Sequence, residues 1–448
     1  MTETLAMFGG KAVVDKALHV RWPVITAADK VAVMAVLDRG VFSGPLAPEV
    51  RALEAEFAKF VGATYCLATN SGTAALHIAV AAAGIGPGDE VITPAFSFVA
   101  TAMSVMEHGA IPTFVDIEPQ TFCIDPQKIE AAITPRTKAI MPVHMHGMPC
   151  DMDAILAIAK KHNLIVIEDA AQAHGAQYKD RAVGTMGAAA GFSMQSSKNL
   201  SAGEGGLFVT NNEEIYKRAN RTRMFGEDTN PRDPSGFNPE RPLDADRAYD
   251  SMAIGWMYRT NEMTAALARS QLARLPEANE NARRNAAALS KALAQLPGVT
   301  PPVVPVESET CWHKYRVTFD ASKVGVNAPA KRVRSALLAG LRGEGVDTVL
   351  WQTQPIPGQS VFKERVGFGK GYPWSLASEG GKPVDYEKQY DPASYPITKH
   401  VLDHSLCLFS QSFPLAPQPM ALVEQYAHAF AKVWANLSEL VEKTPGGV

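Results

Sequence analysis

Between about residue 64 and 211 the chain alternates short β-rich runs with segments of helical periodicity. That rhythm builds a parallel sheet covered on both faces. The runs 90–94 (EVITP), 111–117 (IPTFVDI), 138–143 (KAIMPV), 164–168 (LIVIE), 189–194 (AAGFSM) and 206–210 (GLFVT) predict strands. Several are apolar throughout rather than alternating, as a strand buried on both faces should be. Between them, 151–162 (DMDAILAIAKKH) opens on an Asp cap and repeats apolar residues at helical spacing. The class expected is α/β.

Beyond a Pro- and Asp-rich stretch at 228–248, the run 261–296 reads as helical, either one broken helix or two in succession. From about residue 298 the character changes: 312–319 (WHKYRVTF) predicts a strand and 329–342 a helix, as in a smaller mixed domain. With 448 residues the chain exceeds the size at which one core stops growing. The expected division is 1–260 for an N-terminal arm and large α/β domain, 261–297 for linking helices, and 298–448 for a smaller C-terminal α+β domain. Section 350–398, rich in Gly, Pro, aromatic and polar residues, reads as a long irregular loop, and such loops are usually functional.

Composition narrows the function. A formal charge of -3 with no basic block argues against nucleic acid as a partner. The start MTETLAMFGGKAVV lacks the pattern of a secretory signal, and the longest apolar stretch, Ala74 to Ile85, is too short to cross a bilayer. A cytoplasmic protein without membrane attachment is expected. Five scattered cysteines without a CxxC pair indicate neither a disulfide framework nor a zinc site.

Four places along the chain carry candidate chemistry. Asn70-Ser71-Gly72-Thr73 follows a strand-like run and opens an Ala-rich helical segment, so free N–H groups and two hydroxyls gather where a helix dipole favours an anion; an ordinary Ser/Thr cap is the plainer alternative. Asp169 and Gln172 follow the strand LIVIE, where the carboxyl ends of parallel strands form a ligand crevice. A carboxylate there suits a protonated ring nitrogen, or else simply caps the next turn. Lys198 ends the strand and polar turn FSMQSSK, one strand beyond Asp169; desolvated in the same crevice it becomes a free amine fit for Schiff-base chemistry, although a lone lysine is more often a surface charge. Phe98, after another strand, is placed to lie on a planar ligand or to join the core. His144 and His146 have no third ligand nearby, and GFGKG at 367–371 neither follows a strand nor opens a helix, so neither a metal nor a nucleotide loop is expected.

Taken in order, Ser43-Gly44 with VRALE at 50–54, NSGTAAL at 70–76, GPGDEVITPAFSFVATA at 86–102, PVHMHG at 142–147, EDAAQAHGA at 168–176, FSMQSSKNLSAGEGG at 192–206 and GWMYRTNEM at 255–263 resemble the DegT/DnrJ/EryC1/StrS family of sugar aminotransferases. The resemblance implies fold type I of the pyridoxal-phosphate (PLP) enzymes, with a mostly parallel seven-stranded sheet. It implies that Lys198 forms the Schiff base and shuttles the proton, that Asp169 pairs with the pyridine nitrogen, and that Gln172 bonds the ring hydroxyl. It further implies that Gly72, Thr73 and Ser193 hold the phosphate and that Phe98 stacks on the ring. The activity implied takes an amino group from L-glutamate or L-glutamine, stores it as pyridoxamine phosphate, and delivers it to a cyclitol ketone or a nucleotide-linked keto sugar, in a homodimer. Arg221, Arg223, Lys363 and Arg365 are candidates for a nucleotide diphosphate. Met257 departs from the family's usual Asn, which reaches the phosphate across the dimer; its thioether cannot donate that bond. A PLP-dependent dehydratase or isomerase and an idle cofactor-binding sensor or scaffold remain as alternatives, and the retained Lys198 favours amino transfer.

Overall fold

The computed structural model describes residues 3–44, 47–227, 250–378 and 386–444. The expected Pro- and Asp-rich stretch at 228–248 lies outside these. A seven-stranded sheet is built from β1 (Tyr65–Thr69), β2 (Glu90–Pro94), β3 (Ile111–Val115), β4 (Thr137–Ile140), β5 (Ile165–Asp169), β6 (Ala189–Ser193) and β7 (Gly206–Thr210), in the order β1-β7-β6-β5-β4-β2-β3. From β6 to β3 every pairing is parallel, whereas β7 runs antiparallel to both β1 and β6.

The apolar runs are explained by burial on both faces. Leu67, Ile167, Ala189 and Phe208 face one apolar cluster, and Cys66, Ala68, Phe192, Leu207 and Val209 face another. Helices α1 (Ala27–Arg39), α2 (Pro48–Val61), α3 (Gly72–Ala82), α4 (Ala100–Met106), α5 (Pro126–Ala132), α6 (Met152–His162) and α7 (Glu213–Arg223) accompany the sheet. α3 is buried on nearly every side, which accounts for its small, largely apolar sequence. α6 begins where Asp151 accepts from Ala154 N at 3.2 Å and ends at left-handed Asn163.

The helical run after residue 261 divides into α8 (Glu262–Leu272) and α9 (Leu275–Leu293), the second starting with Pro276 in its first turn, where a missing N–H costs nothing. A second, antiparallel sheet joins Val299–Thr300, Tyr315–Phe319, Ser405–Leu408 and Thr348–Val349. Its strand at 315 begins three residues later than the apolar pattern suggested, because Trp312 turns the chain with a φ of 52°. The chain's first residues lie along this C-terminal part: buried Glu344 accepts from Ala6 N at 2.8 Å and pairs with Lys432 at 3.0 Å.

Section 350–398 differs from the irregular loop expected. Its described residues, 350–378 and 386–398, include several short helical turns, and Phe362, Trp374, Tyr390 and Tyr395 pack on Ile111 and Phe114 of β3. Asp116, just past that strand, accepts from Ile397 N and Thr398 N at 2.9 and 2.8 Å. The segment covers the sheet's edge, where unpaired strand groups otherwise invite association.

Candidate active site

α3 and β6 meet at a glycine. Ser71, extended and just outside α3, accepts from Ala74 N at 3.0 Å, which leaves the first-turn N–H groups of Gly72 and Thr73 without intrahelical acceptors. A Cβ on Gly72 would stand 2.6 Å from Ser193 Cβ. Only glycine allows the helix N-terminus to press against the end of β6. Gly206 makes the same allowance from β7, where a Cβ would meet Ser71 O at 2.2 Å.

Lys198 sits in a clamped turn. Its N–H donates to Gln195 O at 2.8 Å, while the Gln195 carboxamide oxygen accepts from Ser197 N and Ser197 Oγ at 2.8 and 2.6 Å. From the N-terminal arm, Trp22 Nε1 donates to Lys198 O at 3.1 Å. Burial of the ammonium lowers the Lys198 pKa to about 8, with Asp169 opposing and Lys314 reinforcing the shift. The amine is therefore far closer to its free form at neutral pH than an ordinary lysine.

Asp169 closes β5 and is buried. Thr101 Oγ1 donates to its Oδ2 at 2.6 Å and Ala171 N to its Oδ1 at 3.1 Å. Burial nonetheless holds its carboxyl above the ordinary range, outweighing those bonds and the charge of Lys198. Gln172 accepts from His146 N at 3.0 Å, which fixes its side chain. Around these groups His313 and His174 are buried and held neutral by burial first and by Lys198 second, His174 at about 3.

One cavity of about 320 Å³ gathers Gly72, Thr73, Phe98, Asp169, Gln172, Ser193 and Lys198. All seven residues singled out from the sequence thus line a single space, and Phe98 leaves 54% of its surface exposed there rather than joining the core. The sequence reading missed Thr101, His313, Trp351 and Gln411. Thr101 carried a faint signal, one helical turn past Phe98 at a strand-to-helix junction; the other three come from distant segments with no local mark.

The remaining candidates divide. Arg223 is engaged by Glu54 at 2.7 Å and Ala68 O at 2.8 Å. Arg365 belongs to a turn whose Gly367 abuts Tyr372, and Tyr372 reaches Gly109 ahead of β3, the end of the sheet opposite the cavity. Neither is placed to meet a diphosphate in the cavity. Both ring nitrogens of His144 are occupied: Nε2 lies 3.0 Å from Glu168 Oε2 and Nδ1 accepts from Cys150 N at 3.1 Å. Met257 is exposed, its backbone joined to Asn70 Nδ2 at 3.4 Å.

The residues fit PLP: an anion-sized helix N-terminus kept open by Gly72, a lysine amine of lowered pKa, and a buried carboxylate with capacity for a further donor share a cavity of suitable size.

Comparison with known proteins agrees. The model of the DegT/DnrJ/EryC1/StrS aminotransferase family matches residues 23–375. The L-glutamine:2-deoxy-scyllo-inosose aminotransferase of Micromonospora echinospora is 38% identical over 400 residues, 87% of each chain. The spore coat polysaccharide biosynthesis protein SpsC of Bacillus subtilis (strain 168) is 40% identical over 297 residues, 66% of this chain and 73% of its own. The crystal structure of 3-amino-5-hydroxybenzoic acid synthase superposes with a TM-score of 0.77 at 28% identity, covering 95% of this chain and 99% of its own. The chain belongs to the DegT/DnrJ/EryC1/StrS aminotransferase family and is a fold type I, pyridoxal-phosphate-dependent aminotransferase.

Proposed function

We propose that the protein moves an amino group from L-glutamine or L-glutamate to the ketone of a cyclitol or keto sugar. The observation that carries this reading is the sharing of one cavity by Lys198, Asp169 and the open N-terminus of α3. Bound there, PLP supplies an electron sink and holds the amino group between the two halves of the reaction. Gly72, Thr73 and Ser193 hold its phosphate by N–H and hydroxyl donors. Asp169, kept in place by Thr101, would pair with the protonated ring nitrogen; Gln172 would bond the ring hydroxyl, and Phe98 would cover a ring face. Lys198 Nζ, with its lowered pKa, would attach the cofactor and would serve as the base that accepts and returns the proton.

Kinship with the L-glutamine:2-deoxy-scyllo-inosose aminotransferase over most of both chains favours a cyclitol ketone and L-glutamine. The engagement of Arg223 elsewhere and the position of Arg365 make a nucleotide diphosphate the weaker reading. We read the protein as cytoplasmic and homodimeric: no helix of the described residues is long and apolar enough to cross a membrane, and Val31, Met34 and Leu37 of α1 with nearby Phe42 leave apolar surface uncovered.

The test is the visible spectrum of purified protein with PLP, before and after L-glutamine and then L-glutamate, followed by 2-deoxy-scyllo-inosose. A band that a donor bleaches and the ketone restores supports the reading. A band that no donor alters sinks it.

A further inference from the structure

Behind the cavity wall lies a second buried lysine. Lys314 is only 3% exposed, and its Nζ has no hydrogen-bond partner among the described residues. Two positions on, buried Arg316 is held, among the described residues, by neutral groups alone: His146 Nε2 at 3.1 Å, Ser405 Oγ at 2.6 Å and the Trp351 carbonyl. Lys314, Arg316 and His146 border a void of about 10 Å³ otherwise lined by apolar side chains such as Phe122, Met145 and Trp312. That is room for one water at most, not for an anion that would balance the charge.

This stretch is tied to the site. Asn199, next to Lys198, donates to Cys311 O at 2.7 Å, and Cys311 Sγ donates to Gln172 O at 3.2 Å. His313 lines the cavity with Lys198, and Lys314 follows it directly. A buried ammonium without a partner is costly to fold, so a lysine here calls for an explanation beyond packing.

We propose that Lys314 is a positioning residue that acts through charge: its ammonium, buried behind the His313 wall without a hydrogen-bond partner among the described residues, helps keep the Lys198 nitrogen from holding a proton. The inference rests on the role given to Lys198 above. Like charges confined together disfavour each other's protonated forms, a known route to a nucleophilic lysine.

The groups facing the pair make the direction clear. Toward Lys198, burial opposes protonation most and Lys314 adds to it, while Asp169 and Cys311 favour protonation; the histidines His146, His174 and His313 are held neutral. Toward Lys314, Asp347 and Cys407 favour protonation against burial, which brings its pKa to about 8. Asp347 is itself engaged by Ser410 N at 2.8 Å.

The experiment uses the full chain loaded with PLP, as wild type, Lys314→Met, Lys314→Gln and Lys314→Arg. The pH midpoint of the visible absorbance change is read for each, together with the melting temperature of the cofactor-free protein. Loss of the charge is expected to move the midpoint up by ~0.5–1 pH unit, and Lys314→Arg to hold it near wild type. The melting temperature of Lys314→Met is expected to hold or rise. An unmoved midpoint in the Met and Gln variants overturns the proposal, as does an equal shift in the Arg variant. Failure of both neutral variants to fold also overturns it, by making the lysine structural. Wild-type protein that takes up no PLP sinks the cofactor reading instead. The effect on Lys198 is then read without cofactor, from the pH dependence of its trapping by a small aldehyde and borohydride, located by peptide mass spectrometry.

Discussion

Glu168 and Asp169 are consecutive residues of β5, both buried, and they do opposite things. Successive side chains of a strand point to opposite sides. On one side Glu168 receives Gly184 N at 2.7 Å, Met186 N at 2.8 Å and Gly187 N at 2.6 Å, along with His144 at 3.0 Å. Burial alone would raise its pKa, but the His144 contact and the backbone donors outweigh it and hold the carboxylate below the ordinary range. On the other side Asp169 has, among the described residues, only Thr101 and Ala171 as donors, and burial wins. A buried carboxylate with all its acceptor sites filled fastens the structure; one left short of donors is kept for a ligand.

The largest effect lies on the crevice side. Lys198→Ala is expected to cut turnover by on the order of 10²–10⁴-fold and to abolish the visible band of the loaded protein, while the cofactor-free chain folds as well as wild type. Turnover within tenfold of wild type, measured with L-glutamine and a cyclitol ketone, breaks the assignment of this side to chemistry.

The neighbouring carboxylates sharpen the contrast. Asp169→Asn is expected to lower kcat by roughly 10–100-fold through loss of a charge-assisted bond, without destabilising the empty protein. A folded pKa above the unfolded one means that ionised Asp169 costs stability; the cost is absent at acid pH and grows as pH rises through that window. Glu168→Gln should do the reverse, losing about 3 kcal/mol of stability while turnover per folded molecule stays near wild type. Because the folded Glu168 pKa is depressed, its contribution is present above the unfolded value and is lost as pH falls through the folded one. Thermal melts of both variants between pH 4 and 8 check the two signs, and matching melts would erase the distinction.

Gly72→Ala tests the wall between α3 and β6. A methyl 2.6 Å from Ser193 Cβ forces the helix N-terminus outward at a cost of about 1–3 kcal/mol, read as weaker cofactor binding in a fluorescence titration. Unchanged affinity would mean that the phosphate does not sit on this helix.

How much of this was legible depends on whether a residue's neighbours lie close in sequence. The strands announced themselves because burial on both faces leaves an apolar run, and Gly72, Asp169 and Lys198 stand at strand or helix ends, where α/β sheets keep their chemistry. The antiparallel course of β7 left no mark, since GLFVT reads the same in either direction of pairing. Section 350–398 reads as a functional loop, and its Trp351 does line the cavity, but Phe362, Trp374, Tyr390 and Tyr395 cover the edge strand β3, a role that only the tertiary fold defines. Trp22, which bonds the Lys198 carbonyl from 176 positions away, was invisible for the same reason.

Thr101 gives the smallest effect and the finest test. Its hydroxyl donates at 2.6 Å to Asp169 Oδ2 and receives a contact from Ser97 Oγ at 2.7 Å, so it is one of the few groups holding the Asp169 carboxylate ionised against burial. Thr101→Val keeps the shape and removes the donor, at about 1–2 kcal/mol to the ionised form. The acid limb of the kcat profile should therefore move to higher pH by ~1 unit, with little change on the alkaline side, where Lys198 governs. On the Glu168 side, by contrast, Gly184, Met186 and Gly187 donate through the backbone, beyond the reach of side-chain substitution, and among the described residues His144 alone contacts the carboxylate through its side chain. If the acid limb stays put in Thr101→Val, the Asp169 carboxylate owes its charge to the bound cofactor rather than to its protein neighbours, and the shortage of donors on the crevice side is made good only when the ligand arrives.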